Sequence, residues 1–172
     1  MKRALFLTGK LVQDHEFIYP YYRLQEEGFE VTVATEDGKE TQGQLGIKIP
    51  VNAKIEEINP EEFSLLVIPG GAKCLEYLRQ NKKALQIISE WDKKAKIIAS
   101  ICHGSQMLIS AKVVNGRKIS GYYSIKDDIE NAGAIYIDAP SVTDRNIITC
   151  PHYKYLGQWM KETLRVYSKK YD

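Results

Sequence analysis

The side chains best suited to covalent chemistry in this chain are three cysteines, Cys74, Cys102 and Cys150, and three histidines, His15, His103 and His152. Cys102 is distinguished by its surroundings. It follows a continuous apolar run over residues 97–101, and His103, Gly104 and a helical pattern over residues 105–111 come directly after it. A nucleophile on a sharp strand-to-helix turn is presented at the top of a sheet, and a neighbouring glycine lets backbone approach closely. A thiol placed there meets unpaired N–H groups and the positive end of a helix dipole, both of which favour the thiolate, the attacking species. The alternative is a buried cysteine acting as a small apolar filler. The elbow by itself leaves both readings open.

Other reactive groups also fall just after apolar runs. His15 and Glu16 follow the first run, Gly70 and Gly71 follow residues 65–68, and Cys150 and His152 end the last run. Glu16 can hydrogen-bond the thiol from a neighbouring strand end, or it can be a first-turn acid that complements the helix dipole. Gly70 and Gly71 can supply backbone N–H donors to an oxyanion, or they can form a plain turn. His103 can carry a proton, or merely cap the helix. His15, Glu16, Cys102 and His152 include metal-ligand types, but no ligand spacing supports a metal site, so none is expected. GxGxxG and GxxxxGK[ST] patterns are absent from the sequence, so no nucleotide cofactor is expected.

The elements that must position these residues alternate between two periods. Residues 4–8, 65–68 and 97–101 are continuous apolar runs, as in strands buried on both faces. Residues 29–34 and 146–149 also read as strands, and residues 46–51 as an edge strand, because Pro50 suits an edge. A helix is expected over residues 14–27, with Asp14 as N-cap, Gly28 as the stop, and a kink or late start at Pro20. Further helices are expected from Asn59-Pro60, over residues 81–93 with one broad apolar face, over 105–111, over 125–131 and over 155–167. Residues 117–122, 134–137 and 141–143 read as extended. Alternating strands and helices indicate an α/β fold with a mostly parallel sheet and right-handed crossovers. In such sheets the site lies beyond the carboxyl ends of the strands, where the residues above fall.

A length of 172 residues points to one domain over residues 1–172, with 44% hydrophobic and 27% charged residues. The net charge of +2 is too balanced for a nucleic-acid or membrane-surface footprint. No apolar run approaches the roughly 18 residues of a membrane span, and the N-terminal run is too short for a signal peptide. A cytoplasmic protein with no nucleic-acid or membrane partner is expected. An odd number of widely spaced cysteines argues against a disulfide framework and a CxxC zinc site. The tyrosines number eleven, including Tyr19, Tyr21, Tyr22, Tyr122 and Tyr123, and read as core edge and subunit interface.

The chain also resembles the ThiJ/PfpI superfamily of DJ-one-type proteins, and most closely its PfpI-like intracellular protease branch. The resemblance is carried by the segments starting Glu16-Phe17-Ile18-Tyr19-Pro20 and Asn59-Pro60-Glu61-Glu62-Phe63. It continues through Val67-Ile68-Pro69-Gly70-Gly71, Ala99-Ser100-Ile101-Cys102-His103-Gly104, Ser124-Ile125-Lys126-Asp127-Asp128 and Asn131-Ala132-Gly133. It implies a flavodoxin-like three-layer sandwich of the class I glutamine amidotransferase type. It implies a nucleophilic Cys102, a glutamate at Glu16 contacting it, and oxyanion amides from Gly71 and His103. It also implies a homo-oligomer, a dimer or dimer-built hexamer, in which Glu76 of one subunit pairs with His103 of another. Two regions depart from the family pattern. Thr149-Cys150-Pro151-His152-Tyr153 stands where Ser-Arg-x-Pro is usual, and the first loop carries Gln13 and His15 where acidic or apolar residues are common.

The expected function is a Cys102-dependent hydrolase or lyase acting on a small carbonyl or acyl compound, of glyoxalase III or deglycase type, with peptide hydrolysis as the variant. Cys102, His103, Glu16 and Glu76 are the expected catalytic residues. A redox-sensing or chaperone-like stress protein, working through oxidation of Cys102, is the alternative.

Overall fold

The computed structural model describes residues 2–171. Its strands are β1 (Arg3–Leu7), β2 (Glu30–Thr35), β3 (Thr41–Gln42), β4 (Lys48–Ile49), β5 (Ala53–Lys54) and β6 (Leu65–Ile68), then β7 (Ile97–Ile101), β8 (Lys118–Ile119), β9 (Ile135–Tyr136), β10 (Val142–Asp144) and β11 (Ile147–Cys150). The helices are α1 (Asp14–Glu26), α2 (Ala72–Leu78), α3 (Lys82–Lys93), α4 (Ser105–Ser110), α5 (Lys126–Asn131) and α6 (Leu156–Tyr171).

The main sheet has seven strands in the order β10-β11-β7-β6-β1-β2-β5, parallel throughout except for β10. Every residue of β6, β7 and β11 is buried, which explains their predominantly apolar sequences: helices cover both faces. Helices α1 and α6 pack together on one face, while α2, α3 and α4 pack on the other. The chain runs from β1 outward to β2 and later returns to β6 on the far side of β1. This reversal opens a crevice above the carboxyl ends of β1 and β6, the place where ligands bind in sheets of this kind.

Local details refine the sequence expectations. Gln13, not Asp14, caps α1, its Oε1 accepting the N–H of Glu16 at 2.9 Å. Asp14 instead accepts the N–H groups of Leu45 and Ile47 at 2.8 and 2.9 Å, tying the β3–β4 hairpin to the start of the helix. The helix begins at Asp14 and runs through Pro20 without a late start. Residues 46–51 do not join the main sheet. Only Lys48–Ile49 is extended, paired with β3, because Pro50 lacks an N–H and the Asn52 side chain takes the N–H of Val33 at 2.7 Å. Asn59-Pro60 opens a single 3-10 turn, since Phe63 already leads into β6. Helix α2 had no counterpart among the expected elements, although Ala72, Leu75 and Leu78 follow the Gly pair at helical spacing. Helix α6 extends four residues beyond the expected end at 167.

Candidate active site

Cys102 sits where β7 ends. Its backbone adopts φ +60°, a left-handed conformation rare for a side-chain-bearing residue, and the chain then turns through Cys102–Gly104 into α4. The residue is 7% exposed, and its carbonyl accepts the N–H of Tyr122 at 3.1 Å. Helix α4 has six residues and starts only at Ser105, so a long helix dipole does not act on the sulfur as expected. Two backbone amides take that role. The backbone N–H groups of His103 and Gly71 act on the Cys102 sulfur and lower its proton affinity, an effect smaller than that of burial.

Glu16 lies on the first turn of α1 and is completely buried. Its Oε2 accepts the N–H of Gly70 at 2.8 Å. Of the two expected oxyanion donors, Gly70 is therefore committed to the carboxyl, and Gly71 is the one that faces the sulfur. A Cβ on Gly70 would lie 2.3 Å from Glu16 Oε2 and 2.8 Å from Cys102 Cβ, so the carboxyl and the cysteine converge on a point that only glycine leaves open. A Cβ on Gly71, at φ +105°, would lie 2.7 Å from both the Leu11 carbonyl oxygen and the Gln13 nitrogen.

Burial raises the Glu16 carboxyl from its ordinary 4.5 to about 8, opposed by hydrogen bonds from Cys102 and Gly70. Burial also pushes the Cys102 thiol up, and a negative charge on Glu16 pushes it further. The two groups form a coupled pair in which two adjacent negative charges are disfavoured. Burial therefore favours the protonated form of both groups at neutral pH. With Glu16 protonated, the charge repulsion on sulfur disappears, and the Gly71 and His103 amides partly offset the burial that holds the thiol's proton.

His103 is half-buried. Its Nδ1 lies 3.3 Å from Cys102 Sγ, and its Nε2 lies 3.4 Å from Ser124 Oγ. The ring stacks on Tyr122 at 4.8 Å, and burial lowers its pKa, favouring the neutral imidazole. Ser124 and Tyr122 were not singled out for His103 by sequence, since neither type nor spacing distinguishes them. His103 and Glu76 line one surface groove of about 420 Å3, together with Lys73, Arg79, Gln106 and Ser124. Within the chain Glu76 is exposed and pairs with Lys73 at 2.8 Å.

The remaining cysteines differ from Cys102. Burial pushes the Cys74 thiol up to about 11 and that of Cys150 to about 12. Cys74 adjoins Thr8 in the floor of a separate cavity of about 530 Å3 over the ends of β1 and β2. His15 and His152 do reach the same end of the sheet, but each packs against Tyr153, His15 stacked at 5.2 Å and His152 tilted at 4.2 Å. Among the described residues, no three His, Cys, Asp or Glu side chains are gathered as a metal site.

The fold and this elbow define an α/β protein with a cysteine and a buried glutamate meeting at the carboxyl ends of a parallel sheet. The sequence profile of the DJ-1/PfpI family matches residues 2–166, and the chain belongs to that family. A deglycase of Pyrococcus horikoshii is 43% identical over 164 residues, which cover 95% of this chain and 98% of that protein. Deglycase PfpI of Pyrococcus furiosus is 42% identical over 164 residues, with the same coverage of 95% and 98%. Among solved structures, a two-domain protein of Anabaena variabilis with DJ-1/ThiJ/PfpI-like and ferritin-like domains superposes with a TM-score of 0.93 at 31% identity. The match covers 96% of this chain and 48% of that one. No helix among the described residues is long and apolar enough to cross a membrane.

Proposed function

We propose that the protein is a deglycase-type enzyme of the DJ-1/PfpI family that attacks small carbonyl compounds, or their adducts, through Cys102. What supports this reading is the convergence of Cys102 and the buried Glu16 carboxyl at Gly70, with His103 Nδ1 3.3 Å from the sulfur. In the free-aldehyde reaction, the thiolate adds to the aldehyde carbon of a 1,2-dicarbonyl. A C–S bond forms, and the carbonyl pair moves to oxygen, where the two amides stabilise it. The oxyanion takes the Glu16 proton, giving a hemithioacetal. Glu16 or His103 Nδ1 then removes the hydrogen from that carbon and returns a proton to the adjacent one, leaving a thioester. Water releases the 2-hydroxy acid and restores the thiol. Oxidation at one carbon balances reduction at its neighbour, so no outside oxidant is required. With an amine adduct, the C–N bond breaks as the C–S bond forms, and the amine leaves with a proton.

The test is conversion of methylglyoxal to lactate by wild type, Cys102→Ser and Glu16→Gln. Both variants are expected to lose at least a hundredfold in kcat/KM. A Cys102→Ser enzyme working at the wild-type rate overturns the proposal. Hydrolysis of fluorogenic peptides in the same preparations assigns or removes the peptidase variant.

A second reading, redox sensing through Cys102, draws on one observation: while Oε2 takes the Gly70 N–H, Glu16 Oε1 is buried without a hydrogen-bond partner among the described residues. An oxygen added to the sulfur supplies one. Mass spectrometry after mild peroxide treatment decides it. Stable, selective oxidation of Cys102 without turnover supports this reading, and turnover with slow oxidation opposes it.

A further inference from the structure

A continuous set of rings starts at the nucleophile. His103, 3.3 Å from the sulfur, stacks on Tyr122. Tyr122 and Tyr123 lie nearly parallel to the His152 ring, with centroids at 6.0 and 6.4 Å. His152 continues to Tyr153, and Tyr153 stacks on His15 at an interplanar angle of 21°. These six rings come from four separate chain segments, and all three histidines of the protein are among them.

The rim is held in place. The N–H of Tyr122 is bonded to the carbonyl of Cys102 at 3.1 Å, and His152 Nδ1 accepts the N–H of Lys154, also at 3.1 Å. Core packing does not explain its outer members, because Tyr123 and Tyr153 remain 41% and 43% exposed. Rings pre-ordered at a partly exposed mouth can receive another flat ring with little entropy cost. The cation packed on Tyr123 is Lys154, with its Nζ 5.8 Å from the ring centroid. Its charge disfavours a cationic guest and suits a neutral reactant whose product is a carboxylate.

We infer that this rim selects substrates whose reactive carbonyl is conjugated to a flat ring, the aryl-substituted 1,2-dicarbonyls, over their alkyl counterparts. The inference rests on the Cys102 chemistry proposed above and extends it to substrate class. The aryl group stacks against Tyr123 and Tyr153 while the aldehyde carbon meets the sulfur. The reaction is otherwise the same: phenylglyoxal takes up water and leaves as mandelate, with no external redox partner.

The test compares kcat/KM for phenylglyoxal and methylglyoxal in wild type, Tyr123→Ala, Tyr153→Ala and the double variant. The ratio of the two values removes the intrinsic difference in reactivity. Loss of one ring contact is expected to lower that ratio about 2–10-fold. Tyr→Phe at the same positions is expected to restore it, because the ring and not the hydroxyl acts; thermal melts establish that each variant is folded. A ratio that stays within twofold of wild type in the double variant overturns the inference. Equilibrium binding of mandelate and lactate to Cys102→Ala separates this inference from the chemistry. Preferential mandelate binding that the tyrosine variants abolish supports the rim even if no turnover occurs. Equal binding of the two acids, unchanged in those variants, refutes it.

Discussion

Replacing Glu16 with glutamine tests the electrostatics of the site apart from catalysis. Burial pushes the wild-type carboxyl up to about 8 in the folded protein, against an ordinary 4.5. The folded state therefore binds the proton more tightly than the unfolded chain between those values, and stability falls as pH rises through that window. At 1.36 kcal/mol for each unit, about 3 kcal/mol is lost between pH 4.5 and pH 7, and about 5 kcal/mol by pH values above 8. Glutamine carries no charge and keeps an oxygen for the Gly70 N–H. Glu16→Gln is thus expected to match wild type near pH 4.5 and to exceed it by about 3 kcal/mol at pH 7. Urea unfolding at pH 4.5, 6, 7 and 8, followed by tryptophan fluorescence, measures the difference; Trp91 and Trp159 are both buried reporters. A wild-type stability that runs parallel to that of Glu16→Gln across this range refutes the protonated buried carboxyl, and with it the proton source assigned to the reaction.

Three further outcomes follow from the geometry. In native protein, iodoacetamide is expected to modify Cys102, which is 7% exposed, while sparing Cys74 and Cys150, at 2% and 0%; peptide mapping that finds position 102 untouched until unfolding returns Cys102 to the role of filler. Gly70→Ala places a methyl group 2.3 Å from Glu16 Oε2 and 2.8 Å from Cys102 Cβ, so it is expected to abolish methylglyoxal turnover, and normal turnover would show that the pair is not held as described. Arg117 is buried and bridges Asp92 at 2.7 Å and Asp144 at 3.3 Å, so Arg117→Ala is expected to destabilise by about 3–5 kcal/mol, read by urea unfolding, with a loss under 1 kcal/mol contradicting the role of the network.

Much of the fold was legible because its signals are local. Largely apolar runs at β1, β6 and β7 report burial on both faces, and Ala84, Ile87, Ile88 and Trp91 at helical spacing report an amphipathic helix. Short elements were less legible, because long-range contacts decide them. Asp14 looks like a cap and instead pins a distant hairpin, while the Asn52 side chain takes the N–H of Val33 within β2. The candidate site divides in the same way. Cys102, Gly71 and Glu16 fall at strand ends that periodicity locates, whereas Ser124, Tyr122 and the commitment of Gly70 to Glu16 depend on segments far apart in the chain.

The order of residues alone determined that a thiol would follow a buried strand and that a carboxyl and a glycine pair would follow two others. A parallel sheet brings all such ends to one edge, so chemical type and periodicity suffice for that conclusion. Only the tertiary structure decided what the thiol feels there. Burial raises the proton affinity of Glu16, the absence of a Cβ at Gly70 lets the carboxyl reach the cysteine, and two amides replace the expected helix dipole. Those effects depend on distance and desolvation, which are set when separate segments pack together.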